Sequence, residues 1–131
     1  MALLKWMWPG GAARSTRAAG AAAEDRALAH LQAAGLKAVA RNYRTPGRGG
    51  GEIDLVMQAA DGTLVFVEVR ARRSASHGGA AASVGTAKQR RIVLAARHYL
   101  LHQPSPPPCR FDVVAIEGEG ITWLQGAFDA G

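Results

Sequence analysis

Four charged side chains stand inside stretches that are otherwise apolar: Glu52 and Asp54 in GEIDLVMQ, and Glu68 and Arg70 in LVFVEVR. A strand alternates its faces residue by residue. Leu64, Phe66, Glu68 and Arg70 therefore share one side, and Val65, Val67 and Val69 the other. In the preceding stretch Ile53, Leu55 and Met57 oppose Glu52, Asp54 and Val56. Each strand has an oily face and a face that turns charged at one end. Ala60-Asp61-Gly62 lies between them. A three-residue connection with Gly62 left-handed pairs Ala59 with Thr63. It then sets Asp54 opposite Glu68 and Glu52 opposite Arg70. A two-residue Asp61-Gly62 connection would set Asp54 opposite Val69, unless a bulge restored the pairing.

Directly opposed carboxylates repel, because their Cβ atoms are only ~4.5–5.5 Å apart. Either one of them keeps a proton or a cation lies between them. A hard divalent ion takes oxygen ligands, and Mg²⁺ combines one or two carboxylates with waters and phosphate oxygens. The competing reading of the same residues is a solvated strand face with Glu52 bridged to Arg70. A third acid bears on the choice. On a helical wheel Glu24 falls with Ala27, Leu28 and Leu31 on the apolar stripe, while Arg26 and His30 fall off it. An acid facing a core must be paired or ligated. The alternative for Glu24 is an early helix turn, where the dipole favours acids.

The elements that would position these groups follow from periodicity and breakers. Ser15 or Thr16 caps a helix running to about Ala34, with Gly35 as its stop. Leu36–Tyr43 is a short strand, and TPGRGGG (Thr45–Gly51) a mobile loop. Glu52–Gln58 and Thr63–Arg70 form the hairpin. Ser74–Gly85 is a second flexible loop. Thr86 opens a helix to about His102, ended by PSPPP. Arg110–Ile116 and Ile121–Leu124 are the last strands. The order α-β-β-β-α-β-β describes an α/β domain with a mixed sheet. At 131 residues the chain holds one domain, residues 16–125, between a flexible segment 1–15 and a tail 126–131.

Composition narrows the function classes. The net charge is +6. This points to an anionic partner, nucleic acid first and an anionic membrane surface second. Arg outnumbers Lys thirteen to three, a bias that GC-rich coding produces without functional cause. Cys109 is the one cysteine, so there is no internal disulfide and no cysteine cluster for zinc. His98 and His102 are four apart at a helix end, where solvated histidines are common. MALLKWMWPGG is broken by Lys5 and Pro9, too short to span a bilayer and unlike a signal peptide. The expectation is a cytoplasmic protein with no membrane partner.

Asp54 followed by Glu68-Val69-Arg70 at the end of an apolar strand resembles the PD-(D/E)xK nuclease signature. The blocks AEDRALAHLQAAGLKAVARNYR, GEIDLV, DGTLVFVEVRARRS, GTAKQRRIVLAARHYL and CRFDVVAI, in that order, resemble the YraN-like family of small bacterial proteins. The resemblance covers about Ala23 to Ile116. It implies a restriction-endonuclease-like fold, a mixed central sheet flanked by helices, as in Holliday-junction resolvases. It implies Asp54 and Glu68 as metal ligands with the Val69 carbonyl as a further one. It makes Glu24 the matching acid of the first helix. The implied cofactor is Mg²⁺ or Mn²⁺, and the implied activity is a divalent-metal-dependent nuclease for structured or branched DNA. Residue 70 departs from the pattern, which has Lys there. Arg70 cannot give up its proton and so cannot be a general base. It can orient water or stabilise charge, or lock onto Glu52 or Glu68 and compete with metal. The alternative functions are therefore a catalytically impaired nucleic-acid-binding module, or a protein-interaction scaffold.

Other residues would serve the same reading. Lys88 lies on the helix face of Ile92, Ala95 and Tyr99, so its ammonium is expected near the scissile phosphate. Gln89 fits a Thr86-x-x-Gln89 capping box better than a catalytic role. Arg44, Arg48, Arg72, Arg73, Arg90 and Arg91 could ring the acids and neutralise flanking phosphates of a nucleic acid, DNA in the first instance. With no aromatic ladder, recognition would be of backbone or shape; Tyr43 and Tyr99 read as core. Asp112 pairs with Arg110 or a neighbouring strand and is not catalytic. Leu94 and Leu101 lie on the helix face opposite Ile92 and Tyr99. They mark either a homodimer contact or cover by the C-terminal tail.

Overall fold

A computed structural model describes the backbone of residues 11–72 and 84–130, with side chains from residue 19 onward. Arg73 and most of the Ser74–Gly85 loop lie outside the described residues. The elements are α1 (Gly11–Ala33), β1 (Lys37–Arg44), β2 (Glu52–Gln58), β3 (Leu64–Arg72), α2 (Thr86–Leu100), β4 (Cys109–Glu117) and β5 (Gly120–Phe128). The order α-β-β-β-α-β-β is the expected one. The five strands form one sheet in sequence order. All neighbours are antiparallel except β3 and β4, which run parallel. A parallel pair needs a crossover, and α2 supplies it. Among the described residues no helix is long and apolar enough to cross a membrane.

Alternation gives the sheet two apolar faces, each buried under one helix. Ala23, Ala27 and Leu31 bring one stripe of α1 onto Leu55, Met57, Val65, Val67, Val114 and Ile116. The small alanines let the helix lie close to the strands. Ile92, Val93, Ala95 and Ala96 bring α2 onto Ile53, Val56, Phe66, Phe111 and Val113 on the other face. Tyr43 and Tyr99 pack against this second cluster, as expected of core tyrosines. Arg26, on α1, reaches across to the β4–β5 turn. Its two terminal nitrogens donate to the carbonyls of Gly118 at 2.6 Å and Glu119 at 3.0 Å.

The second helix opens at Thr86 as expected, while two other boundaries and one cap differ from expectation. The first helix begins at Gly11, ahead of Ser15 and Thr16, so neither is its cap. The second helix starts from Gly85 as N-cap, with no side-chain cap bond. Thr86 is already helical, which removes the Thr86–Gln89 capping box. Gln89 instead donates Nε2 to the Val84 carbonyl at 2.9 Å and braces the approach to the helix. The last strand runs to Phe128 rather than Leu124. The β4–β5 register shifts between Phe111 and Val113, and Gly126 there takes φ 61°. That local irregularity lets pairing resume at Phe111–Phe128.

Candidate functional site

The β2–β3 turn fixes the register of the acids. Gly62 has φ 93°, its N–H donates to the Ala59 carbonyl at 2.9 Å, and the Ala59 N–H donates to the Thr63 carbonyl at 2.9 Å. This is the three-residue connection, and Leu55 pairs with Val67 beyond it. The next step along the strands brings Asp54 to the level of Glu68.

At that level the sheet departs from regular alternation. Ile53 lies in the α2-side cluster and Leu55 in the α1-side cluster, although residues two apart normally share a face. Tyr43 pairs with Ile53 and Arg41 with Leu55, which puts Asn42 opposite Asp54. Asn42 has φ 54° and is the one non-glycine with positive φ among the described residues. Asn tolerates that conformation better than most residues. Both strands thus change face at one level, and such irregularities re-aim side chains. The result here is that Asp54 turns toward β3, where its Oδ2 accepts the Val69 N–H at 2.8 Å. Sequence reasoning passed over Asn42. The signal was an Asn at the end of a strand of otherwise ordinary composition.

Glu68 sits beside Asp54, with 3% of its surface exposed; Asp54 has 8%. The solvated-face reading is therefore wrong for both. Glu68 Oε2 faces two cations: Arg70 Nη1 at 3.4 Å and Lys88 Nζ at 3.8 Å. Its other oxygen, Oε1, is buried and receives no N–H donor among the described residues. Burial pushes the Glu68 carboxyl up to about 8. The Asp54 charge and a hydrogen bond with Asp54 push the same way, against Lys88 and Arg70. Two buried carboxylates in contact hold one proton between them or share a cation. Glu68 Oε1, the Asp54 carboxylate and a backbone carbonyl are hard oxygen donors of the kind Mg²⁺ or Mn²⁺ takes.

Lys88 arrives as expected, from α2, with its side chain 29% exposed. Glu24 does not arrive. It lies on α1, over the face of the sheet opposite α2, and its Oε1 is 3.3 Å from Arg41 Nε. It lines a different cavity with Asn42, Arg44 and Glu52. Among the described residues no group of three or more His, Cys, Asp and Glu could hold a metal. The three-acid cluster is thus corrected to a pair. The wheel placed Glu24 near the apolar stripe, and Arg41 from β1 supplies its partner there. Glu52 is not bridged to Arg70 either. It pairs with Arg44 at 3.6 Å, while Arg70 turns to Glu68.

The arginines divide. Arg72 is only 16% exposed and bridges to Glu117 on the neighbouring strand at 3.0 Å. Arg44, Arg48, Arg90 and Arg91 are exposed. Arg91 Nε donates to the Gly50 carbonyl at 3.3 Å. The TPGRGGG loop, expected to be mobile, is tied at its neck. Thr45 N–H donates to the Gly51 carbonyl at 3.0 Å, and Gly51 N–H donates to Thr45 Oγ1 at 2.7 Å. Gly51 also touches the α2 backbone so closely that a Cβ there would stand 2.1 Å from the Arg91 carbonyl oxygen.

Asp112 is fully buried and away from this site. Both its oxygens accept from Arg110 Nε, at 3.0 and 3.2 Å. Oδ2 also accepts Trp123 Nε1 at 2.9 Å, and Oδ1 the Gly126 N–H at 3.0 Å. It pairs with Arg110 and with the neighbouring strand β5, the two partners the sequence offered, and through Gly126 it holds the β4–β5 irregularity. Leu94 and Leu101 are exposed, at 47% and 79%.

Comparison with known proteins agrees with the extent of the blocks quoted above. The profile of the uncharacterised protein family UPF0102 matches residues 23–116. A UPF0102 protein of Paracidovorax citrulli is 74% identical, covering 94% of this chain and 93% of its own length. One from an Acidovorax species is 71% identical over 90% and 89% of the two chains. One from Albidiferax ferrireducens is 66% identical over 88% and 91%. The chain belongs to this family, which is the YraN-like family.

Proposed function

We propose that this UPF0102 family member is a divalent-metal-dependent phosphodiesterase acting on nucleic acid, with structured or branched DNA as the first substrate to test. The observation that carries the reading is the buried Glu68–Asp54 pair, in which Glu68 Oε1 receives no N–H donor among the described residues and only a proton shared with Asp54 or a cation can offset the two carboxylates. A buried carboxylate oxygen with no donor is costly unless something supplies positive charge. When bound, Mg²⁺ or Mn²⁺ would polarise a phosphate oxygen and lower the pKa of a water.

The chain's own groups have definable tasks. The Val69 N–H fixes the rotamer of Asp54. Lys88 and Arg70 hold Glu68 by one oxygen and leave the other free. The Lys88 ammonium, partly exposed over the carboxylates, balances charge that develops on a phosphate. Arg70 stays protonated and orients a water or a phosphate oxygen by hydrogen bonding. Burial around the pair strengthens each of these interactions.

Arg70 also motivates a second reading. Its Nη1 lies 3.4 Å from Glu68 Oε2, where it supplies some of the charge an ion would bring. On that reading the protein binds nucleic acid without cutting it. The test is a cleavage assay with Mg²⁺ or Mn²⁺ on four-way junctions, flaps and single strands. The enzyme reading expects cleavage that Asp54→Asn and Glu68→Gln each remove. Salt-dependent binding without cleavage, with cutting gained by Arg70→Lys, would favour the binding module. No cleavage by the wild type or Arg70→Lys on any substrate would overturn the hydrolase.

A further inference from the structure

We propose that the groove between the Thr45–Gly51 loop and α2 seats a phosphodiester that flanks the reacting one. This names a phosphate subsite and rests on the nucleic-acid reading above. The groove is a cavity of about 380 Å³ with Arg44, Arg91 and the loop glycines among its lining residues.

It is a built feature. The neck is closed by the two Thr45–Gly51 hydrogen bonds. Gly51 lies against the helix backbone, and a Cβ on Gly50 would meet Thr45 Oγ1 at 2.5 Å. Gly47 and Gly49 take φ 89° and 68°, while Arg48 between them does not. Left-handed residues alternating with others turn successive N–H groups toward one side and form an anion-binding concavity. The N–H groups of Gly47 and Gly49 make no hydrogen bond within the described residues.

The charges favour an anion. Glu52 is the one acid lining the groove, and Arg44 lies 3.6 Å from it. Arg91 uses Nε on Gly50 and keeps its two terminal nitrogens, the fork that fits phosphate. The groove adjoins the elements that carry the carboxylate pair. Lys88 and Arg91 are three apart on α2 and so neighbours on its surface; Lys88 stands at Glu68 and Arg91 at the loop. Along β2, Gly51 and Asp54 are about 10 Å apart at ~3.3 Å per residue. That separation is within one or two phosphate-to-phosphate steps along a single strand. A strand whose reacting phosphate lies at Lys88 would therefore pass a neighbouring phosphate over the loop.

The experiment is an amide NMR titration of the whole chain in EDTA, so that binding is read without cleavage. One arm uses a short oligothymidylate and the other inorganic phosphate. The expected result is that the oligonucleotide shifts the Gly47 and Gly49 amides. Arg91→Ala should weaken it about tenfold and lower the slope of log affinity against log salt by about one. Arg44→Ala provides the same readout should Arg91→Ala disturb the fold, and Arg97→Ala, elsewhere on α2, should change affinity less than twofold. Unmoved glycine amides, a loss for Arg97→Ala equal to that for Arg91→Ala, or shifts from inorganic phosphate alone would each overturn the subsite. Failure here with cleavage intact removes the subsite only. Glycine shifts without cleavage remove the hydrolase only.

Discussion

Asp112 and Glu68 are both buried carboxylates on neighbouring central strands, yet their surroundings are opposite. Asp112 accepts from Arg110, Trp123 and Gly126, and both oxygens are used. Glu68 has two cations on one oxygen, no N–H donor on the other among the described residues, and a second carboxylate alongside with which it can only share a proton. A satisfied buried acid holds the fold in place. An incompletely satisfied one stores a demand for charge, which a ligand can meet. Burial alone does not separate the two; the inventory of donors does.

The comparison is broken first by stability. Asp112→Ala leaves Arg110, Trp123 Nε1 and the Gly126 N–H without their acceptor. Removing one member of a buried pair costs ~3–5 kcal/mol, read as a lower midpoint in urea. Glu68→Gln should instead leave stability unchanged or raise it near neutral pH. If both substitutions destabilise equally, the two acids are alike and the distinction fails.

The second effect is on pH. The folded Glu68 carboxyl, at about 8, lies above its ordinary value of 4.5, so folding favours its protonated form. The stability this proton contributes is fully present below the ordinary value and is lost as pH rises through about 8. The wild-type unfolding midpoint should therefore fall by a few kcal/mol equivalent between about pH 5 and pH 9. Glu68→Gln should be flatter in that window. Millimolar Mg²⁺ should restore the wild type at the alkaline end and leave it unchanged at the acidic end. A flat wild-type profile would mean that Glu68 is as well satisfied as Asp112.

A smaller loss, ~1–3 kcal/mol for overpacking, is expected from Gly51→Ala, because the new methyl meets α2 backbone. Differential scanning should show it, with Gly47→Ala as the comparison, where strain comes from φ alone. The smallest effect concerns the level where Asp54 is turned. Asn42→Ala should cost ~1 kcal/mol of left-handed strain and Asn42→Gly less, both by chemical denaturation. Equal tolerance of Ala and Gly there would show that the positive φ of Asn42 is not what re-aims Asp54.

Much of this was legible in residue order. The residues around Gly62 allowed two connection lengths, and one of them, the three-residue turn found in the structure, sets the level at which Asp54 and Glu68 meet. The α2 periodicity put Lys88 inward. The rest depended on tertiary partners. Glu24 was legible as an acid near an apolar stripe, but Arg41 could be paired to it only once α1 had a known side of the sheet. The face change at Asp54 is a property of two strands together, invisible in either. Gly85 displaced Thr86 as helix cap because the chain enters extended, at φ −72° and ψ 170°. The length of β5 followed from Asp112 holding Gly126, a bond between residues fourteen apart.

The reach of Arg26 to the β4–β5 turn has a consequence for assembly. Its carbonyl partners lie 92 and 93 positions downstream, and the entropy of closing a loop grows with its length. A growing polypeptide cannot make this clasp until the hairpin it grips has been synthesised. The first helix can dock by its apolar stripe on β2 and β3 as soon as those strands exist, whereas the Arg26 clasp is a later, non-local contact.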